Sequence, residues 1–134
     1  MKLTAFVDGG GKWNDRHANI GLLILDAETK EVLVEEGHDI GDASNNEAEY
    51  TAVVMALYHA NRLGAKAIQV YSDSKLVVNQ LSGEWRVHEN HLRCYYDEIM
   101  DEAQNLDFNI SWIPRRENKQ ADALSRGAVE KTSP

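Results

Sequence analysis

The hydrophobic pattern of the chain changes period near Ser44, and that change constrains the fold more than any other feature. Before it, three apolar runs read as strands: Lys2 to Val7, Ala18 to Leu25 and Val32 to Ile40. The first closes on Asp8 and a turn at Gly9-Gly10-Gly11, and Asp26 to Lys30 is a hairpin-length link between the next two. Three strands with short links predict an antiparallel meander. Ser44 with Glu47 three residues on is a capping-box signature. Ala48, Ala52, Val53, Ala56, Leu57 and Ala60 then recur at helical spacing up to Gly64. Ala67 to Tyr71 reads as a buried strand, and a helix from about Ser74 to Leu81 is broken by Ser82-Gly83. A longer helix is expected from about Asn90 to Asn105, and a strand from Phe108 to Ile113 stops at Pro114. Lys119 to about Val129 closes the chain as a helix. The order βββαβααβα predicts a single α/β domain over residues 1–134, with a core of about 2–129 and a short C-terminal tail.

Composition removes several functional classes. The apolar stretches Ile20 to Leu25 and Ala52 to Leu57 are too short to span a bilayer, and Asp8 interrupts the first apolar run, so no secretory leader is expected. A single cysteine, Cys94, cannot form an intrachain disulfide or a thiolate cluster, so a reducing, cytoplasmic setting is expected. Cys94 is read as a small buried helix residue and Trp112, within a strand, as core. The five histidines have no metal-ligand spacing. The net charge of −8 opposes nucleic-acid binding, which phosphate neutralisation dominates. Residues 1–60, however, carry 4 basic and 11 acidic side chains, whereas residues 61–134 carry 10 and 11. A carboxylate metal site also counts as acidic until its cations bind.

The informative acids are Asp8, Glu49, Asp73 and Asp122. Asp8 and Asp73 each follow an apolar strand, where open α/β sheets place their sites. If those strands are neighbours, the four carboxylates can converge. They would repel one another unless hard cations lay between them. Two Mg²⁺ ions about 3.5–4 Å apart can activate a water and stabilise the leaving oxygen without a side-chain nucleophile. Taken singly, three of the acids have ordinary explanations. Asp73 is placed to cap a helix, Asp122 to meet a helix dipole, and Glu49 to sit on an exposed face. Spacing alone leaves this open.

The flanking residues narrow it. Phe6-Val7-Asp8-Gly9-Gly10, Asn45-Asn46-Glu47-Ala48-Glu49-Tyr50, Tyr71-Ser72-Asp73-Ser74-Lys75 and Asn118-Lys119-Gln120-Ala121-Asp122-Ala123-Leu124 occur in that order. From about residue 2 to residue 127 the chain resembles the type 1 ribonuclease H family, in particular its archaeal-like branch without the basic protrusion. The resemblance implies a ribonuclease H-like fold, a five-stranded mixed sheet of order 3-2-1-4-5. It implies an endonuclease that hydrolyses the RNA strand of RNA–DNA hybrids with two Mg²⁺ or Mn²⁺ ions, leaving 5′-phosphate and 3′-hydroxyl ends. Asp8, Glu49, Asp73 and Asp122 would be the catalytic metal ligands, with Asp8 bridging both ions. Many members carry a histidine before the last helix. Here Arg115, seven residues before Asp122, takes that place, with Glu117 or Asn118 as further candidates for a supporting role.

The same resemblance gives the substrate contacts. Asn45, Asn46, Ser74 and Lys75 match positions that read the minor groove, where the 2′-hydroxyls are exposed. Lys75 is alternatively a phosphate contact. Gly9 and Gly10 would let backbone approach the substrate closely. Trp85 lies in a small aromatic and basic cluster with Arg86, His88, His91 and Arg93, suited either to stacking on the nucleic acid or to packing as a core anchor beside a loop. The stretch from residue 82 to 91 is too short for the basic protrusion of many bacterial members, and Gly11 to Arg16 differs from the usual loop after the first aspartate. Weaker substrate affinity, or grip supplied from elsewhere, is expected. A 3′–5′ exonuclease of related fold is disfavoured because Asp8 is followed by Gly9-Gly10 rather than by x-Glu. Short loops and the Asn45-Asn46 pair disfavour an integrase or resolvase core. A catalytically weak or inactive hybrid-binding module is the remaining alternative. No protein partner or membrane is implied, and the chain is expected to act as a monomer.

Overall fold

The computed structural model describes residues 1–12 and 17–127. Its strands are β1 (Lys2–Lys12), β2 (His17–Asp26), β3 (Val32–Asp42), β4 (Ala67–Ser72) and β5 (Asp107–Trp112). Its helices are α1 (Asn45–Arg62), α2 (Lys75–Leu81), α3 (Asn90–Glu102) and α4 (Lys119–Ser125). The last helix ends at Ser125, short of the expected end near Val129: Arg126 caps it and Gly127 turns the chain at a φ of 94°, while Val129 itself lies outside the described residues. The sheet has the order β3-β2-β1-β4-β5, antiparallel across β1, β2 and β3 and parallel across β1, β4 and β5.

Local chemistry explains the element ends. Asp26 accepts from the N–H groups of Glu28 at 2.8 Å and Thr29 at 3.0 Å, closing the β2–β3 turn. The capping box forms: the Ser44 hydroxyl accepts from Glu47 N–H at 3.1 Å, and the Glu47 carboxylate accepts from Ser44 N–H at 2.9 Å. Helix α1 then lays Ala48, Ala52, Val53, Ala56, Leu57 and Ala60 against the sheet, all fully buried. Facing them along β1 are Leu3, Ala5 and Val7, likewise buried. Helix α3 packs on α1, and α4 covers the opposite face over β1 and β2.

Several expectations need correction. Asp8 does not end the first strand, and Gly9 to Gly11 are not a turn. Strand β1 runs on to Lys12 because β2 keeps pairing with it, Gly9 to Ile20, Gly10 to Asn19 and Gly11 to Ala18. What ends near Asp8 is the parallel partnership with β4, whose last pair is Phe6 with Tyr71. The long helix ends at Glu102, and Ala103–Asn105 form a 3-10 turn. Trp112 is 43% exposed rather than core, because β5 is an edge strand. Cys94 is exposed on α3. The buried face of that helix is set by Leu92 and Ile99, and Cys94 lies off it. Among the described residues no helix is long and apolar enough to cross a membrane.

Candidate active site

Where β4 stops pairing with β1, the two strands open a notch, and the acids gather there. Asp8 points to the α4 face of the sheet and is buried. Asp73 follows β4 directly. The helix cap beside it is Ser74, whose hydroxyl accepts from Val77 N–H at 3.3 Å, so Asp73 is left free for another role. Glu49 reaches in from the second turn of α1 and accepts from Gly9 N–H at 2.6 Å. Oxygens of Asp8, Glu49 and Asp73 lie within 4.8 Å of one another.

Two glycines make this approach possible. A Cβ on Gly9 would stand 2.4 Å from the Ala48 carbonyl carbon and 2.6 Å from Glu49 N, so α1 touches β1 backbone to backbone just before Glu49. Gly21 is the cross-strand neighbour of Asp8, and a Cβ there would meet Ala121 O at 2.1 Å and Ser125 N at 2.6 Å. Helix α4 therefore sits on bare backbone, which brings Ser125 and Asp122 beside Asp8. The Ser125 hydroxyl lies 2.7 Å from the Asp122 carbonyl oxygen and 3.3 Å from Asp8 Oδ2. Asp122 pairs with Arg126 at 3.0 Å, one turn further along α4.

The electrostatics are those of an uncompensated carboxylate cluster. Burial, then the charges of Asp73 and Asp122, push the Asp8 carboxyl up to about 7. Burial, then Asp8 and Asp73, push Glu49 up to about 9, against smaller opposing effects of the Gly9 N–H and the Arg115 guanidinium. Carboxyls that oppose one another's ionisation in this way are the ordinary setting for a bound cation. An all-oxygen donor set at this spacing fits a hard divalent cation.

Asp8, Gly9, Gly10, Gly11, Asn19, Arg115, Asp122, Ser125 and Arg126 line one open cleft of about 490 Å³. Arg115 is thus on the rim beside the acids, in a 3-10 turn (Arg115–Glu117) that follows Pro114. Gly10 has open space where a side chain would stand. Gly9 does not, because its bare face is taken by α1 and its N–H by Glu49. Asn45 and Asn46 open α1 with exposed side chains, about one helical turn from Glu49, while the cap is made by Ser44. Lys75 is exposed and sits 4.9 Å over the Trp112 ring, whose Nε1–H donates to Asp73 O at 3.2 Å.

Trp85, 49% exposed, belongs to a second hollow of about 520 Å³ with Gln80, Arg86, Val87, His88, Arg93 and Tyr96. Buried Gln80 accepts from the Tyr50 hydroxyl and donates to Arg86 O at 3.2 Å, and Trp85 N–H donates to Asn79 O at 2.9 Å. These bonds pin the loop, while the Trp85 ring stays accessible. Trp85 is therefore not a core anchor. Sequence reasoning missed Ser125, Asn19 and Arg126 as cleft residues, since each reads locally as an ordinary helix or strand residue.

A carboxylate cleft at this point of a 3-2-1-4-5 sheet defines the ribonuclease H-like class of α/β folds. The reverse transcriptase-like family matches residues 6–128. The chain is 38% identical over 97% of its length to the bifunctional protein Rv2228c of Mycobacterium tuberculosis, and that match covers 36% of the mycobacterial protein, so the chain spans about a third of it. The crystal structure of ribonuclease H1 from the archaeon Halobacterium salinarum superposes with a TM-score of 0.89 at 32% identity, covering 98% of this chain and 99% of that one. LC11-RNase H1, solved in complex with an RNA/DNA hybrid, superposes with a TM-score of 0.86 at 30% identity, covering 97% and 98% of the two chains. The chain belongs to the type 1 ribonuclease H family.

Proposed function

We propose that the protein is an endonuclease that hydrolyses the RNA strand of RNA–DNA hybrids, leaving 5′-phosphate and 3′-hydroxyl ends. The observation that carries this reading is the meeting of three carboxylates from three separate elements within 4.8 Å, with Asp122 beside them. A cluster whose members raise one another's pKa is unfavourable unless cations occupy it. Asp8, Glu49, Asp73 and Asp122 would hold two Mg²⁺ or Mn²⁺ ions. Bound there, the ions supply charge neutralisation and a water acidic enough to attack phosphorus.

The chain's own residues do the rest. Glu49 is oriented by Gly9 N–H, and the Ser125 hydroxyl lies 3.3 Å from the Asp8 carboxylate on the α4 side. Arg115 on the cleft rim is placed to meet the phosphate that acquires charge in the transition state. Asn45 and Asn46 present exposed amides, each able to donate and to accept, and so suit a 2′-hydroxyl in the minor groove. Gly10 leaves room for the sugar–phosphate backbone. Ser74 is committed to capping α2, so its contribution to substrate is through its backbone. Lys75 with Trp112, and Trp85 with Arg86 and Arg93, offer cationic and aromatic surface for the flanking strands. We propose a monomer working in the cytoplasm, a setting that the single cysteine suits.

The direct experiment uses a hybrid labelled on its RNA strand, with Mg²⁺ and with EDTA. Matched DNA duplex and single-stranded RNA serve as controls. Internal cuts confined to the hybrid, abolished by EDTA, are expected. An intact hybrid under both Mg²⁺ and Mn²⁺, with binding retained, would make the chain a hybrid-binding module instead.

A further inference from the structure

Asn118 stands just before α4 and is 1% exposed. Its Nδ2 donates to Val7 O at 2.8 Å and to Asp73 Oδ2 at 3.3 Å. Its backbone carbonyl accepts from Asp122 N–H at 3.1 Å. One residue therefore touches the strand position before Asp8, the carboxylate of Asp73 and the helical turn that carries Asp122. It occupies the N-cap position of α4 but makes no side-chain cap bond. A capping asparagine would turn its oxygen to the first helical N–H groups. Here the oxygen is buried with no hydrogen-bond partner among the described residues, and the amide nitrogen is turned to β1 and Asp73. Leaving a buried amide oxygen unpaired is unfavourable, so the side chain is held by what its nitrogen does.

We infer that Asn118 is a positioning residue of the metal centre, fixing the Asp73 carboxylate against β1 at the spacing a divalent cation needs; this rests on the function proposed above. The indole of Trp112 meets the Asp73 backbone, and among the described residues it is the Asn118 amide that hydrogen-bonds the carboxylate. A neutral donor suits the task. It orients the carboxylate without neutralising it, whereas a lysine or arginine would compete with the cation.

The test begins on the wild-type protein, labelled with ¹⁵N and titrated with Mg²⁺. The Asn118 side-chain amide signals are expected to shift with the same half-saturation as the backbone amides of Asp8 and Asp73. Signals unmoved at saturating Mg²⁺ would overturn the inference, whatever the variants do. Asn118→Leu keeps the bulk and removes both donors, and Asn118→Ala removes the side chain. Each is expected to weaken Mg²⁺ binding in calorimetry about tenfold, as loss of an outer-shell partner does. Hybrid KM should stay within about twofold while kcat falls about tenfold. A purely structural role would lower the melting temperature and leave Mg²⁺ affinity and kcat of the folded variant unchanged, and that result would sink the proposal. If the wild type neither binds Mg²⁺ nor cuts hybrid, the functional reading fails and takes this one with it. If the wild type does both and a folded variant matches it, only the role of Asn118 fails.

Discussion

Substituting Gly9, Gly10 and Gly21 one at a time separates their jobs. In Gly9→Ala the new Cβ would stand 2.4 Å from the Ala48 carbonyl carbon, and ordinary contact begins near 3.4 Å. The obstacle is helix backbone, which no rotamer change relieves, so α1 must withdraw by about 1 Å. Overpacking of this kind costs about 1–3 kcal/mol. For a domain of 134 residues that lowers Tm by about 4–12 °C. The same withdrawal carries Glu49 away from Asp8 and stretches its bond from Gly9 N–H. A 1 Å misplacement at a reacting centre costs about 100-fold in rate. Gly21→Ala should do the same through α4, where Ala121 O would lie 2.1 Å from the new carbon. Gly10→Ala meets nothing within 4 Å and should melt within about 2 °C of the wild type. The assay is thermal melting by circular dichroism, paired with initial rates of hybrid cleavage at 25 °C. The reasoning is refuted if Gly9→Ala melts with the wild type, or if all three variants fall by the same amount.

Stability of the cation-free protein should depend on pH in an unusual direction. Folding raises Asp8 from an ordinary 3.8 to about 7 and Glu49 from 4.5 to about 9, so the folded state keeps protons that the unfolded chain has released. That contribution is complete below about pH 4 and is lost as pH rises toward 9. Melting in EDTA should therefore worsen from pH 6 to pH 9, and 10 mM Mg²⁺ should flatten the curve; a Tm that rises with pH in EDTA would contradict this. Arg115→Ala should lower kcat at least about tenfold with Mg²⁺ binding unchanged, and Arg115→Lys should restore little, since a planar fork is not replaced by a point charge. Steady-state kinetics alongside calorimetry decides between this and a role in cation binding. Trp85→Ala should raise hybrid KM by about 5- to 100-fold with kcat within twofold, the effect of losing a stacking surface. Unchanged KM would remove the loop from the substrate path.

The element order was legible because each element carries its own period, and the Ser44–Glu47 box marks the change from strands to helix by local chemistry alone. The four acids were legible through their flanking motifs rather than through spacing, which left helix capping and dipole effects open for Asp73 and Asp122. What stayed hidden depends on partners remote in sequence. The three glycines after Asp8 read as a turn, and only pairing with β2 shows them to be strand. Nothing local distinguishes Gly9, bare so that α1 can touch it, from Gly10, which faces open space. Asn118 stands out in the sequence only as a candidate for a supporting role, and its hold on Asp73 shows only once Val7, 111 positions away, is seen to fix its amide. Trp112 and Cys94 were misread as buried because composition predicts burial for both, whereas an edge strand and the outer side of α3 leave them exposed.

The central claim is that Asp8, Glu49, Asp73 and Asp122 act as one metal-dependent unit. Asp8→Asn, Glu49→Gln, Asp73→Asn and Asp122→Asn test it together, each measured for hybrid binding and for RNA-strand cleavage in Mg²⁺. Every variant is expected to bind hybrid within a few-fold of the wild type, and Asp8→Asn to lose at least about a thousandfold in kcat, with large losses in the other three. Wild-type turnover by any one of the four would show that its carboxylate is not part of the reacting centre, and turnover by Asp8→Asn would bring down the whole account.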